Sequence, residues 1–357
     1  LQNVEGILAA GAELVNCFCI GKGHQAILSQ HIGDLKNIET YQFYTETIEK
    51  YKRLFRFSPG LVAYDMHPDY LSTRYASELN IDSIPVQHHH AHIASCMAEH
   101  GIDEKVIGVS FDGTGYGSDG KIWGSEFLLA DLHGFERYSH FEYMALPGGD
   151  KVTEEPWRTA VSCLYNSFGR HLKYLDIPFV NLMEEKKLDL ILEAIDKNIN
   201  CPLSSGAGRL FDAVAALINV CPVSKFHAEA PMRLESLTIG SLNQRFEISQ
   251  QETISFKEMF QQIIEDIHRE IPVEIISTKF HNTIIYTIFR VSLKIRSETG
   301  LNKIVLSGGT FQNKYIMERL EPLLIKNKFE VFSQGRIPCN DGGIALGQLV
   351  IAAKKRE

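Results

Sequence analysis

Four histidines in five residues, His88, His89, His90 and His92, follow Gln87 at the end of a predicted strand and lead into a helix that carries Ile93, Met97 and Ala98. A helix beginning near His88 puts His88 and His92 four residues apart on one face, the spacing at which two imidazoles can share a metal ion. His89 and His90 then point elsewhere. The plainer alternative is a histidine-rich helix start with solvated or core-satisfied rings. Two imidazoles are too few for a metal, so a carboxylate must come from elsewhere in the chain. Asp341, in Cys339-Asn340-Asp341-Gly342-Gly343 at the start of the last predicted helix, is the first candidate. Aspartate at that position also makes a good helix N-cap, worth about 1 kcal/mol. Asp112, in Ser110-Phe111-Asp112-Gly113-Thr114-Gly115-Tyr116-Gly117 at a strand end, is the second candidate. Two histidines and one carboxylate leave open coordination positions, which suits Fe(II) or Zn(II) acting on a bound ligand.

Glycine-rich turns form a second group of signals. Gly113, Gly115 and Gly117 let backbone approach an anion and offer N–H donors to it, although a plain hairpin turn explains them equally well. Ser307-Gly308-Gly309-Thr310-Phe311-Gln312-Asn313 reads as strand, double glycine and helix start. Two such turns facing each other from two lobes would hold a nucleotide in a cleft. In Gly208-Arg209-Leu210-Phe211-Asp212, the stripe Leu210, Val214, Leu217 and Ile218 is apolar and leaves Asp212 on the opposite face. That carboxylate is placed either to bond ribose hydroxyls or to favour the helix N-terminus. Glu229, expected in a loop, has the same ribose role open to it, or pairs with Arg233. Neither a Ser-His-Asp or Gly-x-Ser-x-Gly arrangement nor a Gly-x-x-x-x-Gly-Lys-Ser/Thr loop occurs, which sets aside the hydrolase and P-loop readings.

The elements that must position these residues follow from periodicity. Strands are expected at 7–13, 15–20 and 26–32, a helix at 38–57, a strand at 61–65, a helix at 67–79 opened by Pro68, and a strand at 84–87. A second run of strands at 106–112, 124–131 and 135–143 repeats the first pattern, hinting at two similar lobes. Helices follow at 188–199, 208–220, 256–270 and 278–297, then a strand at 303–306, a helix at 312–327, a strand at 330–333 and a final helix at 343–355. The expected organisation is an N-terminal α/β lobe, residues 1–104, completed by the C-terminal helix 343–357, and a second α/β lobe, 105–342, with a helical insertion at about 150–300.

At 357 residues and 44% hydrophobic, the chain is long enough for about two domains. Lys plus Arg number 36 against 44 for Asp plus Glu, and no basic stripe is present. A nucleic-acid partner is therefore not expected. Seven cysteines without framework spacing and no apolar run long enough for a bilayer point to a soluble, cytoplasmic protein. Cys17 and Cys19 fall on one face of a strand beside apolar neighbours and read as packing. Leu1 opens the numbering where a methionine would stand and a buried strand follows at once, so the chain is expected to begin inside a longer polypeptide.

Several strings in order, Leu28-Ser29-Gln30-His31-Ile32-Gly33-Asp34-Leu35, Asp65-Met66-His67-Pro68-Asp69-Tyr70, Gln87 to His92, Glu155-Pro156-Trp157-Arg158, Gly208 to Asp212 and Ser307 to Asn313, resemble the C-terminal domain of the HypF family along nearly the whole chain. The resemblance implies a two-lobed actin-like ATPase (ASKHA) α/β fold, shared with tRNA threonylcarbamoyl transferases. It implies a metal on His88, His92 and Asp341, with Asp112 as an addition. It also implies phosphate contacts from Gly113, Thr114, Gly115, Gly308 and Gly309, and adenosine contacts from Asp212, Glu229 and Asn313. The implied activity is carbamoyl transfer from carbamoyl-adenylate, which brings its ATP-derived AMP moiety, to the C-terminal cysteine of a HypE-type partner in NiFe-hydrogenase maturation. The adenylate itself would come from a YrdC-type domain that the sequence does not contain. The alternatives are threonylcarbamoyl transfer to tRNA, which the acidic balance disfavours, and a non-enzymatic nucleotide-binding scaffold.

Overall fold

The computed structural model describes residues 2–250 and 252–356. The first sheet has the order β3-β2-β1-β4-β5. It is built from β1 (Ile7–Ala9), β2 (Cys19–Lys22) and β3 (Gln25–Leu28), then, after helix α1 (Ile38–Leu54), from β4 (Leu61–Asp65) and β5 (Asp82–Val86) on either side of helix α2 (Leu71–Glu78). The first three strands run antiparallel, while β4 and β5 add on parallel to β1. Pro85 can sit in β5 because this is an edge strand, where a missing N–H costs no ladder bond. Helix α3 (His88–His100) follows directly.

The second sheet repeats the plan. Strands β6 (Val106–Tyr116), β7 (Ile122–Ala130) and β8 (Phe135–His140) form the antiparallel part, extended at one side by the short β9 (Met144–Ala145) and, later in the chain, β10 (Leu203–Ser204). A helical block lies between: α4 (Lys151–Glu154), α5 (Pro156–Phe168), α6 (Pro178–Asn181), α7 (Glu185–Asp196), α8 (Ala207–Leu217) and α9 (Glu229–Ser236). After the two-residue strands β11 (Ser249–Gln250) and β12 (Ile254–Ser255) it continues with α10 (Lys257–His268) and α11 (Val273–Thr299). Then β13 (Lys303–Ser307), α12 (Lys314–Lys326) and β14 (Glu330–Ser333) add parallel strands beside β6. The order β8-β7-β6-β13-β14 matches β3-β2-β1-β4-β5, so the pattern repeated in the sequence is a structural duplication, with the helical block standing where the first sheet has only α1. Helix α13 (Ile344–Arg356) ends the described chain.

Strand alternation sorts the core into layers. Leu8, Ala10 and Ile20 face α1 and α2 with Tyr44, Ile48 and Ala76. Ile7, Ala9, Cys19 and Ala63 face the other way, onto α13 and α3, and share that core with Val106, Leu128, Ala130 and Val305 of the second sheet. On the far face of the second sheet, Ile107, Val109, Phe127, Ile304 and Leu306 meet the insertion helices. The two central helices are thus a double layer between the sheets, and α3 is buried from His88 to Met97. Their close crossing depends on Gly347, where a Cβ would lie 1.9 Å from the Ala91 carbonyl oxygen. Removing so much apolar area from water at about 25 cal/mol per Å2 makes this interior the main stabilising feature.

Several expectations change. Helix α2 starts at Leu71, not at residue 67, because the Asp65 carboxylate accepts from the His67 N–H (2.9 Å) and holds 67–70, Pro68 included, as a turn. Helix α5, with Pro156 in its first turn, had no counterpart in the periodicity reading. Glu229 opens helix α9 and is not in a loop. The cysteines are all unpaired, and Cys17 and Cys19 are buried, as packing requires. No helix among the described residues is long and apolar enough to cross a membrane.

Candidate metal and nucleotide site

Helix α3 begins where β5 ends, with the Gln87 side chain accepting from the His90 N–H (2.9 Å) as N-cap. This start puts the His88 and His92 rings side by side, centroids 5.0 Å apart. The other two histidines turn away. His89 Nδ1 meets the Gln87 amide (3.1 Å), and His90 Nε2 donates to the Asp131 carbonyl (2.6 Å).

Asp112 arrives by an irregularity in the second sheet. Phe111 pairs with Ser125 and Gly115 with Trp123, so residues 112–114 bulge opposite the single residue Gly124. A bulge re-aims side chains, and this one turns Asp112 toward the histidines. The expected glycine turn is therefore a correction: residues 113–116 continue β6. Gly115 is needed because a Cβ there would strike the His89 and His88 rings at 2.5 and 2.7 Å.

Asp341 comes from the opposite end of the chain. The loop after β14 is pinned to α3 by Glu99, whose carboxylate accepts from the N–H groups of Gly335, Arg336 and Ile337 (3.0, 2.8 and 3.2 Å). Asn340, not Asp341, provides the cap, accepting from the Gly342 N–H at 3.1 Å. Asp341 is thereby left for the cleft.

The four side chains converge, with one donor atom of each within 4.8 Å of every other. His88 Nε2 and His92 Nε2 each lie 3.4 Å from Asp112 Oδ2 and 3.7 Å from Asp341 Oδ1. Metal–nitrogen and metal–oxygen bonds of about 2.0–2.2 Å place neighbouring tetrahedral ligands about 3.3–3.5 Å apart, so these spacings fit a shared ion. Behind the cluster, His88 Nδ1 donates to Asp65 Oδ2 (2.7 Å), both groups fully buried. That contact fixes the ring orientation and leaves Nε2 facing Asp112 and Asp341. Asp65 stands opposite Val86 in the parallel β4–β5 register, two residues before His88. The sequence signals nothing of this role, because only the parallel β4–β5 register brings Asp65 to the start of α3.

The electrostatics favour a cation. Burial opposes charge on His88, but Asp65, Asp341 and the bond to Asp112 raise its pKa well above the usual value. His92 is raised against the same opposition, by Asp112 and Asp341. Burial and the Asp112 charge push Asp341 up, whereas the two histidines hold Asp112 well below the carboxylate range against burial. Two carboxylates and two imidazoles sharing protons in a dry site form a donor set that a divalent ion would satisfy.

The glycines adjoin this cluster. Gly308 has φ +108°, and a Cβ there would meet the Phe111 carbonyl oxygen at 2.2 Å, while one on Gly309 would lie 2.9 Å from Asp112 Oδ1. The Gly308 N–H is already taken by the Cys339 carbonyl (2.9 Å). Gly113 and Thr114 are half-buried in the bulge, and Gly113 touches Gly206 and Gly208 at the start of α8.

The three other expected residues lie farther along. Asp212 is not free: Arg209 Nη1 stands 3.0 Å from it, both side chains buried, and desolvation pushes its pKa up to about 6 against that guanidinium. Glu229 pairs with Arg233 (2.6 Å) and accepts from the Lys225 N–H. Asn313 caps α12, accepting from the Ile316 N–H (2.9 Å), and its amide donates to His281 Nε2 (3.1 Å).

Comparison with known proteins gives one picture. Residues 108–348 match the family described as "Carbamoyltransferase, Kae1-like Domain, second subdomain", and residues 2–99 match "HypF Kae1-like domain". The chain is 33% identical to carbamoyltransferase HypF2 of Cupriavidus necator, over 98% of this chain and 46% of that protein. It is also 33% identical to carbamoyltransferase HypF of Synechocystis, over 98% of this chain and 48% of that protein. A crystal structure of full-length HypF in a phosphate- and nucleotide-bound form superposes with a TM-score of 0.95 at 47% identity, covering 100% of this chain and 56% of the other. HypF of T. kodakarensis gives 0.89 at 30% identity, over 98% and 48%. The chain thus spans about half the length of most of these relatives, and its fold is that of the HypF structures, two related α/β sheets with a helical insertion in the second.

Proposed function

The chain belongs to the HypF carbamoyltransferase family, and from that premise we propose that it transfers a carbamoyl group from carbamoyl-adenylate to the C-terminal cysteine thiol of a HypE-type partner during NiFe-hydrogenase maturation. The observation that carries this reading is the four-residue cluster of His88, His92, Asp112 and Asp341 beside the glycine-lined strand ends. Open α/β sheets bind ligands at such strand ends. A divalent ion held there, Fe(II) or Zn(II), would supply Lewis-acid polarisation of an acyl or phosphate oxygen.

The chain's own residues do the rest. Asp65 holds the His88 ring, and Gly309, with the bulge at 112–114, brings backbone close to the phosphate of the AMP moiety. Gly308 contributes close approach rather than a donor, since its N–H is engaged. Asp212, Glu229 and Asn313 line the adenosine side after their present partners give way. The partner's sulfur attacks the carbonyl carbon, the C–O bond to phosphate breaks, AMP leaves, and the thiol proton passes to solvent. Carbamoyl-adenylate would be delivered by a YrdC-type domain, and the reaction belongs in the cytoplasm.

Incubating the metal-loaded chain with carbamoyl-adenylate and a peptide ending in cysteine should give a thiocarbamate detectable by mass spectrometry in one turnover. A yield no greater than that of peptide and adenylate alone would defeat the enzymatic reading and leave a scaffold.

A further inference from the structure

Arg209, in the first turn of α8, is buried (8% exposed), and its guanidinium has little to hold. Nε and Nη1 have no hydrogen-bond partner among the described residues. Nη1 lies 3.0 Å from Asp212 Oδ2 but outside the direction a hydrogen bond needs, so that oxygen too is left without a donor. Nor does Asp212 balance the charge in full, since burial pushes its pKa up to about 6 against the guanidinium. A guanidinium carries five N–H donors and a permanent charge, and taking them out of water is costly unless acceptors replace it.

The backbone around this side chain is close and firmly held. The first turn of α8 rests on the β6 bulge through glycines: a Cβ on Gly206 would meet the Gly113 carbonyl oxygen at 2.3 Å, and one on Gly208 the Gly113 Cα at 3.0 Å. Ser204 Oγ accepts from the Gly206 N–H (3.0 Å), and Ser205 Oγ donates to Glu126 (2.7 Å), which also accepts from the Gly124 and Ser125 N–H groups across the bulge. Arg209 Nη2 reaches over Gly113, where a Cβ would stand 3.5 Å from it, and the residue before Gly113 is Asp112 of the four-residue cluster. The guanidinium therefore spans the gap between Asp212, on the adenosine side, and the bulge, on the phosphate side.

We propose that Arg209 is a phosphate ligand, its guanidinium turning from Asp212 to donate two N–H bonds to the phosphate of the AMP moiety, an inference that rests on the carbamoyl-transfer reading above. The planar fork of an arginine matches two oxygens of one phosphate. As the bond from the carbonyl carbon to the phosphate oxygen breaks, negative charge gathers on the departing AMP, and the cation beside it stabilises that charge. The same turn frees Asp212 for the ribose hydroxyls, so one movement readies both ends of the nucleotide.

The test compares AMP with adenosine, which lacks only the phosphate, each titrated calorimetrically into the Zn(II)-loaded chain. Arg209→Gln should bind AMP about tenfold more weakly than wild type, or weaker still, and adenosine as tightly. Arg209→Lys keeps a cation beside Asp212, and with it the fold, but loses the fork; it should show a smaller loss, again for AMP alone. Equal losses for the two compounds, which a merely structural arginine would produce, or undiminished AMP affinity in both variants, would overturn the proposal. So would wild-type protein that bound AMP no better than adenosine. The transfer reading stands or falls separately, on the thiocarbamate formed by the wild-type chain.

Discussion

His88 and His281 are both fully buried imidazoles, and their surroundings drive them in opposite directions. His281 sits among aromatic rings. It donates from Nδ1 to the Ser277 carbonyl (2.8 Å) and accepts at Nε2 from Asn313, so burial holds it neutral and lowers its pKa to about 4. Every polar atom has a partner, and nothing more is needed. His88 has one partner of its own, Asp65, and turns Nε2 to two more carboxylates that also face each other. The contrast separates polar residues that finish a fold from those that wait for a ligand. A satisfied pair is silent, whereas carboxylates and imidazoles that crowd together and share protons in a dry site form a donor set that a cation would complete.

The strongest way to break the comparison is His88→Ala or His92→Ala. Each should reduce bound metal, read by elemental analysis, to background while circular dichroism stays native. Metal retained by either variant would remove the distinction between the two regions.

Acid should act on the two regions by different routes. His90 and His281 both have folded-state pKa values of about 4, below the unfolded value of about 6.5. The unfolded chain therefore takes up protons first. Their contribution is complete above pH about 6.5 and disappears as pH falls to about 4, on the order of 3 kcal/mol for each residue. Denaturant titrations across that window should show the slope, and His281→Phe should flatten it. At the cluster the raised His88 and His92 values mean that protons compete with metal, so metal affinity should climb as pH rises through them. A pH-independent affinity would contradict these assignments.

A smaller effect sharpens the contrast. Asp65→Asn leaves all four cluster residues in place but weakens the hold on His88, and should cost about 10–100-fold in metal affinity by competition with a chelator.

Much of this arrangement was legible in the sequence where the signal is local. The strands Leu61–Asp65 and Glu330–Ser333, and a helix beginning at His88, follow from apolar runs, turn residues and spacing. What the sequence hid depends on distant chain. Gly113 and Gly115 look like a turn, yet they lie in and just after a bulge of β6, packed against Gly206, Gly208 and the His88 ring, nearly a hundred residues away on one side and inside another helix on the other. The roles of Asp65 and Glu99 appear only once the parallel register and the β14 loop bring them to α3. Asp341 was legible as a carboxylate at a helix start, but only the geometry shows that Asn340 does the capping.

The crossing of α13 over α3 also bears on when this molecule becomes competent during synthesis. Gln348 clasps Gly11 at both its N–H (2.8 Å) and its carbonyl (3.2 Å), so the first strand region is completed by a helix made some 340 residues later. A nascent chain can build the second sheet and its insertion early, but the pairing of the two central helices has the longest loop to close and should come last. Translation must pass residue 350 before α3 is covered, and with the same closing motion Asp341 reaches the histidines. An ion of the proposed kind that arrived before that moment would meet at most three of the four clustered side chains, so ion capture should report that the two central helices have paired.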